Sequence, residues 1–130
     1  MSLITIPKPD IVELRKQLPQ EISDILVGDL GDTPNVYFDG NVISWPLLGS
    51  AQRDGRLKKD STVGIIRPGS YEFPTDHNEY VTVLDGILFS SVNKGPESRF
   101  VRPDTVVTGA QNLLSVRVEG SQVTYLCQYR

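Results

Sequence analysis

From Asn35 onward the chain is a succession of short runs rich in Val, Ile, Thr, Tyr and Phe, separated by turn residues. The runs cover about Val36–Trp45, Thr62–Ile66, Ser70–Phe73, Tyr80–Ser91, Arg99–Val101, Thr105–Val107, Leu113–Val118 and Gln122–Tyr129. Asp39-Gly40, Pro68-Gly69, Asp85-Gly86, Gly95-Pro96, Pro103-Asp104 and Glu119-Gly120 punctuate them. Many short strands at even spacing predict a mainly β domain, either a sandwich or a barrel. With 130 residues the chain suits one domain and one core. The polar stretch Leu48–Ser61 interrupts the β pattern. It reads as a long loop, and loops of that length often carry function.

The front of the chain has a different period. Ile11, Leu14, Leu18, Ile22, Ile25 and Leu26 recur at helical intervals. Asp10 can cap a helix start, with Glu13 three residues on as its capping-box partner. Pro19 interrupts the pattern, which predicts a bent helix or two short ones. Its apolar face is expected to pack on the β domain or on a second subunit. Gly28–Pro34 (GDLGDTP) reads as a linker. The expected organisation is a helical extension and linker over residues 1–34, then a β domain over residues 35–130.

Composition removes several classes of function. The net charge of −3 supplies no general attraction to nucleic acid. Arg56, Lys58 and Lys59 beside Gly55 form a local basic cluster, read as a solvated loop. No apolar run is long enough to cross a bilayer, and MSLITIPKPD lacks the charged start and apolar stretch of a signal peptide. A cytoplasmic protein is therefore expected. Cys127, the single cysteine, cannot form an internal disulfide. One His and one Cys cannot build a His/Cys metal cage within one chain.

The run Pro68-Gly69-Ser-Tyr71-Glu-Phe73-Pro-Thr75-Asp-His77-Asn-Glu79, followed by Tyr80 to Gly86, is similar to the first motif of the cupins. That motif has Gly, a spacer, two histidines, Glu, six residues and Gly. Glu79 and Gly86 keep the six-residue gap. Counted from Gly69, the histidine positions fall on Thr75 and His77, and His77 stands too close to Glu79 for the metal-binding form. The resemblance implies a single cupin barrel, the RmlC-like jelly roll, without the metal triad.

Four separated pieces carry a closer resemblance. They are Asn35-Val-Tyr37-Phe38-Asp39-Gly40-Asn-Val42, then Thr62-Val63-Gly64-Ile-Ile-Arg-Pro-Gly69-Ser-Tyr71-Glu72-Phe73, then Glu79 with Val83 and Gly86, and the terminal Tyr125-Leu126-Cys127-Gln-Tyr129. In this order and spacing the chain resembles the pyrimidine/purine nucleoside phosphorylases, very small bacterial cupins. It departs from them in the extra residues 1–34, in Gly109 and Leu114 where the family tends to carry Pro and Phe, and at Tyr80.

The resemblance implies phosphorolysis of purine and pyrimidine nucleosides to free base and pentose 1-phosphate. Inorganic phosphate is then the co-substrate, no metal or organic cofactor is required, and a homodimer is expected. Such a reaction needs cationic or N–H donors for phosphate, acceptors for the sugar hydroxyls and a proton donor for the base. Glu79 is the candidate for the sugar hydroxyls, or else a strand-end carboxylate satisfying backbone. His77 is the candidate donor to base or phosphate, or else a solvent-facing turn histidine. Arg67 and Arg117 offer positive charge, or sit on the outer surface. Tyr71 with Phe73, and Tyr125 with Cys127 and Tyr129, alternate along their strands and offer stacking faces or core. Cys127 is read as a packed residue. The alternative for the whole chain is a non-catalytic small-molecule-binding cupin.

Overall fold

The computed structural model describes residues 7–48 and 61–129. The basic cluster at Arg56, Lys58 and Lys59 and most of the 48–61 loop lie outside the described residues.

Two one-turn helices open the described chain, α1 (Ile11–Arg15) and α2 (Gln20–Ser23). Asp10 caps α1 as expected, accepting from the backbone N–H groups of Val12 and Glu13. The Glu13 carboxylate accepts from Lys16 Nζ at 2.9 Å. The helices break at Pro19, which cannot continue the first ladder.

Eleven strands follow among the described residues. They are β1 (Asp29–Leu30), β2 (Asn35–Tyr37), β3 (Val42–Leu48), β4 (Ser61–Ile66), β5 (Gly69–Thr75), β6 (Glu79–Asp85), β7 (Ile87–Val92), β8 (Ser98–Val101), β9 (Thr105–Thr108), β10 (Asn112–Val118) and β11 (Val123–Tyr129). The run Val36–Trp45 is two strands because Phe38, Asp39 and Gly40 turn the chain with positive φ. The run Tyr80–Ser91 is likewise split at Gly86, where φ is +90°. The segment read as a linker contains β1, which pairs with the end of β3.

All pairings among the described residues are antiparallel. The larger sheet runs β1-β3-β4-β11-β6-β9, with β2 also on β3; the smaller runs β5-β10-β7-β8. The sheets face each other as the jelly roll expected of a cupin. Their inner faces meet in a core that includes Val42, Ile66, Val83, Leu88, Val116 and Val123.

The larger sheet is apolar on both faces, which is why β4 and β11 read as nearly continuous apolar runs. A second cluster joins its outer side chains Ile43, Trp45, Val63, Ile65, Leu84 and Leu126 to Ile11, Leu26 and Leu30 of the front segment. Leu14, Leu18, Ile22 and Ile25 pack against that cluster. The helical face predicted from sequence thus covers the back of the sheet.

Candidate functional site

One end of the space between the sheets stays open as a cavity of about 310 Å³. Its lining comes from seven strands and the turn after β5. The apolar part is Ile66, Phe73, Pro74, Val81, Leu114 and Val116. The polar part is Tyr37, Ser44, Asp76, His77, Glu79, Tyr125, Cys127 and Tyr129.

Register decides which side chains enter. β6 pairs with β11 so that Glu79 faces Tyr129, Val81 faces Cys127 and Val83 faces Tyr125. Side chains alternate along a strand, so these six share the inner face. Tyr125 is buried. Its ring rests on Gly64 of β4, where an added Cβ would stand 2.5 Å from Tyr125 Cζ. Its hydroxyl lies beside Ser44, and burial raises its pKa well above the ordinary phenol value.

Glu79 opens β6 half-buried at the cavity rim. Desolvation pushes its carboxyl pKa up, partly offset by the Cys127 hydrogen bond and the nearby His77, while Asp76 adds to the rise. The Cys127 thiol donates to Glu79 Oε1 at 3.4 Å. Burial, followed by the Glu79 charge, raises the pKa of the thiol, so it stays protonated. Tyr129 is also raised by burial, and its hydroxyl lies beside Cys127.

His77 is exposed at the rim, with its ring 6.4 Å from Tyr129 in an edge contact. The turn that carries Asp76 and His77 is tied down on both sides. Thr75 Oγ1 donates to the Gly109 carbonyl at 2.7 Å, and Asn78 Oδ1 accepts from Ala110 N–H. Thr75, the other residue at a cupin histidine position, is thereby buried outside the cavity lining. Phe38 packs on Tyr71 and Phe73 with ring centroids 5.0 and 5.2 Å away. Those contacts hold a left-handed corner that a bulky residue avoids, and they leave Tyr37 against Phe73 in the cavity wall.

The structure therefore brings Glu79, His77 and Tyr125 together. Three other candidates, named for substrate binding or else for core and outer surface, take the second place and stay outside the cavity lining. Tyr71 is a core residue whose hydroxyl donates to the carbonyls of Arg67 and Pro68. Arg67 follows β4, outside the cavity lining, with its backbone engaged by Asn41. Arg117 points outward because Val116 and Val118 point inward; it pairs with Glu97 and Glu119 and lies over the Phe89 ring. Among the described lining residues, His77 alone can carry positive charge. Sequence reading left Tyr37, Ser44 and Asp76 unassigned. For Cys127 and Tyr129 the available signal was their alternation with Tyr125 along one strand.

Two antiparallel sheets around one open-ended, phenol- and carboxyl-lined cavity define a cupin-type jelly-roll protein. Solved structures share that architecture. A protein of unknown function from Vibrio parahaemolyticus matches with a TM-score of 0.65 at 24% identity, covering 79% of this chain and 100% of its own. A cupin-2 domain from Rhodospirillum rubrum matches with a TM-score of 0.56 at 17% identity, over 76% of this chain and 66% of its own. The profile of the pyrimidine/purine nucleoside phosphorylase family matches residues 32–129, and the chain belongs to that family. A Vibrio cholerae protein with the family's name is 36% identical over 96 residues, 73% of this chain and 93% of its own length. One from Pseudomonas syringae is 30% identical over 97 residues, 74% of this chain and 96% of its own.

Proposed function

We propose that the cavity binds a nucleoside and that the chain catalyses its phosphorolysis, with inorganic phosphate as co-substrate and no metal or organic cofactor. Family membership supports the reaction class. The observation that carries the reading is the half-buried Glu79 carboxyl on the wall of a cavity of about 310 Å³. That volume falls at the small end of the range for small-molecule sites.

In this reading the aromatic wall of Tyr37, Phe73 and Tyr125 takes the base. Glu79 accepts from the sugar hydroxyls and so fixes the anomeric carbon near the rim. A phosphate oxygen bonds to that carbon as its bond to the base nitrogen breaks, and positive charge spreads over the sugar ring. The departing base takes up a proton, for which His77 is the donor at the rim. The same reading makes the working unit a cytoplasmic homodimer, whose mass light scattering would measure.

One observation favours a second reading. No Arg or Lys lines the cavity among the described residues, and anion sites usually use them. A cavity that binds a small molecule without turnover fits that lining. Base release from a panel of purine and pyrimidine nucleosides, with and without phosphate, separates the two. Release that needs phosphate, survives a chelator and drops at least tenfold in Glu79→Gln supports phosphorolysis. A flat response on every nucleoside supports binding alone.

A further inference from the structure

We propose that Cys127 is a positioning residue for Glu79: its thiol, backed by the Tyr129 hydroxyl, holds the carboxylate in one orientation and governs when it takes up a proton. The inference rests on the reading of Glu79 as the carboxylate that works in the cavity. Three facts of geometry carry it. The β6–β11 register sets Tyr129 directly across from Glu79 and Cys127 diagonal to it, all on the inner face. Cys127 Sγ lies 3.4 Å from Glu79 Oε1, within reach of a thiol donor. Cys127 is only 3% exposed, so water does not compete for the sulfur.

The direction of the chain follows from chemistry. A carboxylate only accepts, so the thiol must donate to it. The thiol and the Tyr129 phenol both stay protonated, for burial opposes their ionisation. Tyr129 O–H can then donate to sulfur while S–H donates to Glu79. A hydroxyl-to-thiol-to-carboxylate chain has one sense, and each bond polarises the next. It favours the ionised carboxylate, against the desolvation that disfavours it.

The other groups facing Glu79 are His77 and Asp76, on the turn before β6. β9 offers it Thr108 as register partner, and β5 brings Phe73 and Pro74 to the same cavity. These neighbours are unchanged by substitution at 127. Cys127 also does not act as a nucleophile here, because a thiol held protonated beside a carboxylate is a poor one.

The test follows the Glu79 side-chain carboxyl by carbon-13 NMR titration of the whole, ligand-free chain, with Glu79→Gln assigning the resonance. Cys127→Val keeps bulk and removes the donor; Cys127→Ser keeps a donor. We expect the midpoint of Glu79 to rise by about half to one pH unit in Cys127→Val and to stay near its starting value in Cys127→Ser. Tyr129→Phe should move it the same way by less, and it carries the test if Cys127→Val does not fold. Midpoints unchanged in Cys127→Val and Tyr129→Phe overturn the inference, as does a Ser variant that moves as far as Val. In turnover, the acid limb of the kcat/KM profile should shift upward with the midpoint. Shifted midpoints in a chain that releases no base sustain the coupling and refute the phosphorylase reading alone.

Discussion

Gly64 is the sharpest place to perturb the cavity without touching a polar group. An alanine Cβ there would lie 2.5 Å from both Cζ and Oη of Tyr125 and 2.6 Å from Cε1. Carbon atoms in contact settle near 3.5–4.0 Å, so the ring must retreat by about 1 Å or more. It retreats away from β4, into the cavity. Two costs add. Forcing a buried ring off its packed position costs about 1–3 kcal/mol, and disturbing the Tyr125 hydroxyl beside Ser44 costs about 1 kcal/mol more. A destabilisation of about 2–4 kcal/mol in urea denaturation is the expected result, with nucleoside binding weakened as the cavity shrinks. The control is a double-mutant cycle with Tyr125→Ala. Once the ring is gone, Gly64→Ala should be neutral, or stabilising by about 0.4–1 kcal/mol through reduced freedom of the unfolded chain. An equal cost of Gly64→Ala in both backgrounds would refute the steric argument.

Two further substitutions separate the back of the large sheet from the cavity. Leu26 is fully buried in the outer cluster, so Leu26→Ala should cost about 2–5 kcal/mol in a denaturant melt while leaving KM for nucleoside unchanged. Arg117→Ala should leave base release unchanged, because its partners Glu97, Glu119 and Phe89 are all on the outer surface of the small sheet; a tenfold loss would put a phosphate site there after all.

What the sequence made legible were features set by local physics. Pro19 broke the helix, Asp10 capped it, and Gly40 and Gly86 marked corners that need positive φ. β1 escaped because two residues between Gly28 and Gly31 show no period; β3 alone makes them a strand. Side-chain direction was the harder question, since a one-residue change in register reverses it. Arg117 shows how far alternation goes. Leu114, Val116 and Val118 mark the inner face of β10, and that pattern alone puts Arg117 outside. For β11 alternation could group Tyr125, Cys127 and Tyr129 but not say what they faced. That needed β6, whose Glu79 is 48 residues from Cys127.

Glu79 itself gives the strongest link between stability and function. Its folded-state pKa is raised, chiefly by burial. A raised carboxyl binds its proton more tightly in the folded chain than in the unfolded one. The charged form therefore costs stability, and that cost is absent below the unfolded value near 4.5. It grows as pH rises and is complete above the folded pKa. Gln in its place carries no charge at any pH. Glu79→Gln should thus be more stable than the natural chain at pH 7 to 8, and the advantage should shrink to nothing toward pH 4. The lowered carboxyls Asp32 and Glu97 have the opposite slope, but they are common to both proteins and cancel in the difference. Urea melts of the two proteins across that window measure it. A Gln variant less stable at pH 7, by an amount independent of pH, would mean that Glu79 is a structural carboxylate satisfied by its surroundings. A more stable variant that has lost base release would mark Glu79 as a group retained for chemistry at the expense of the fold.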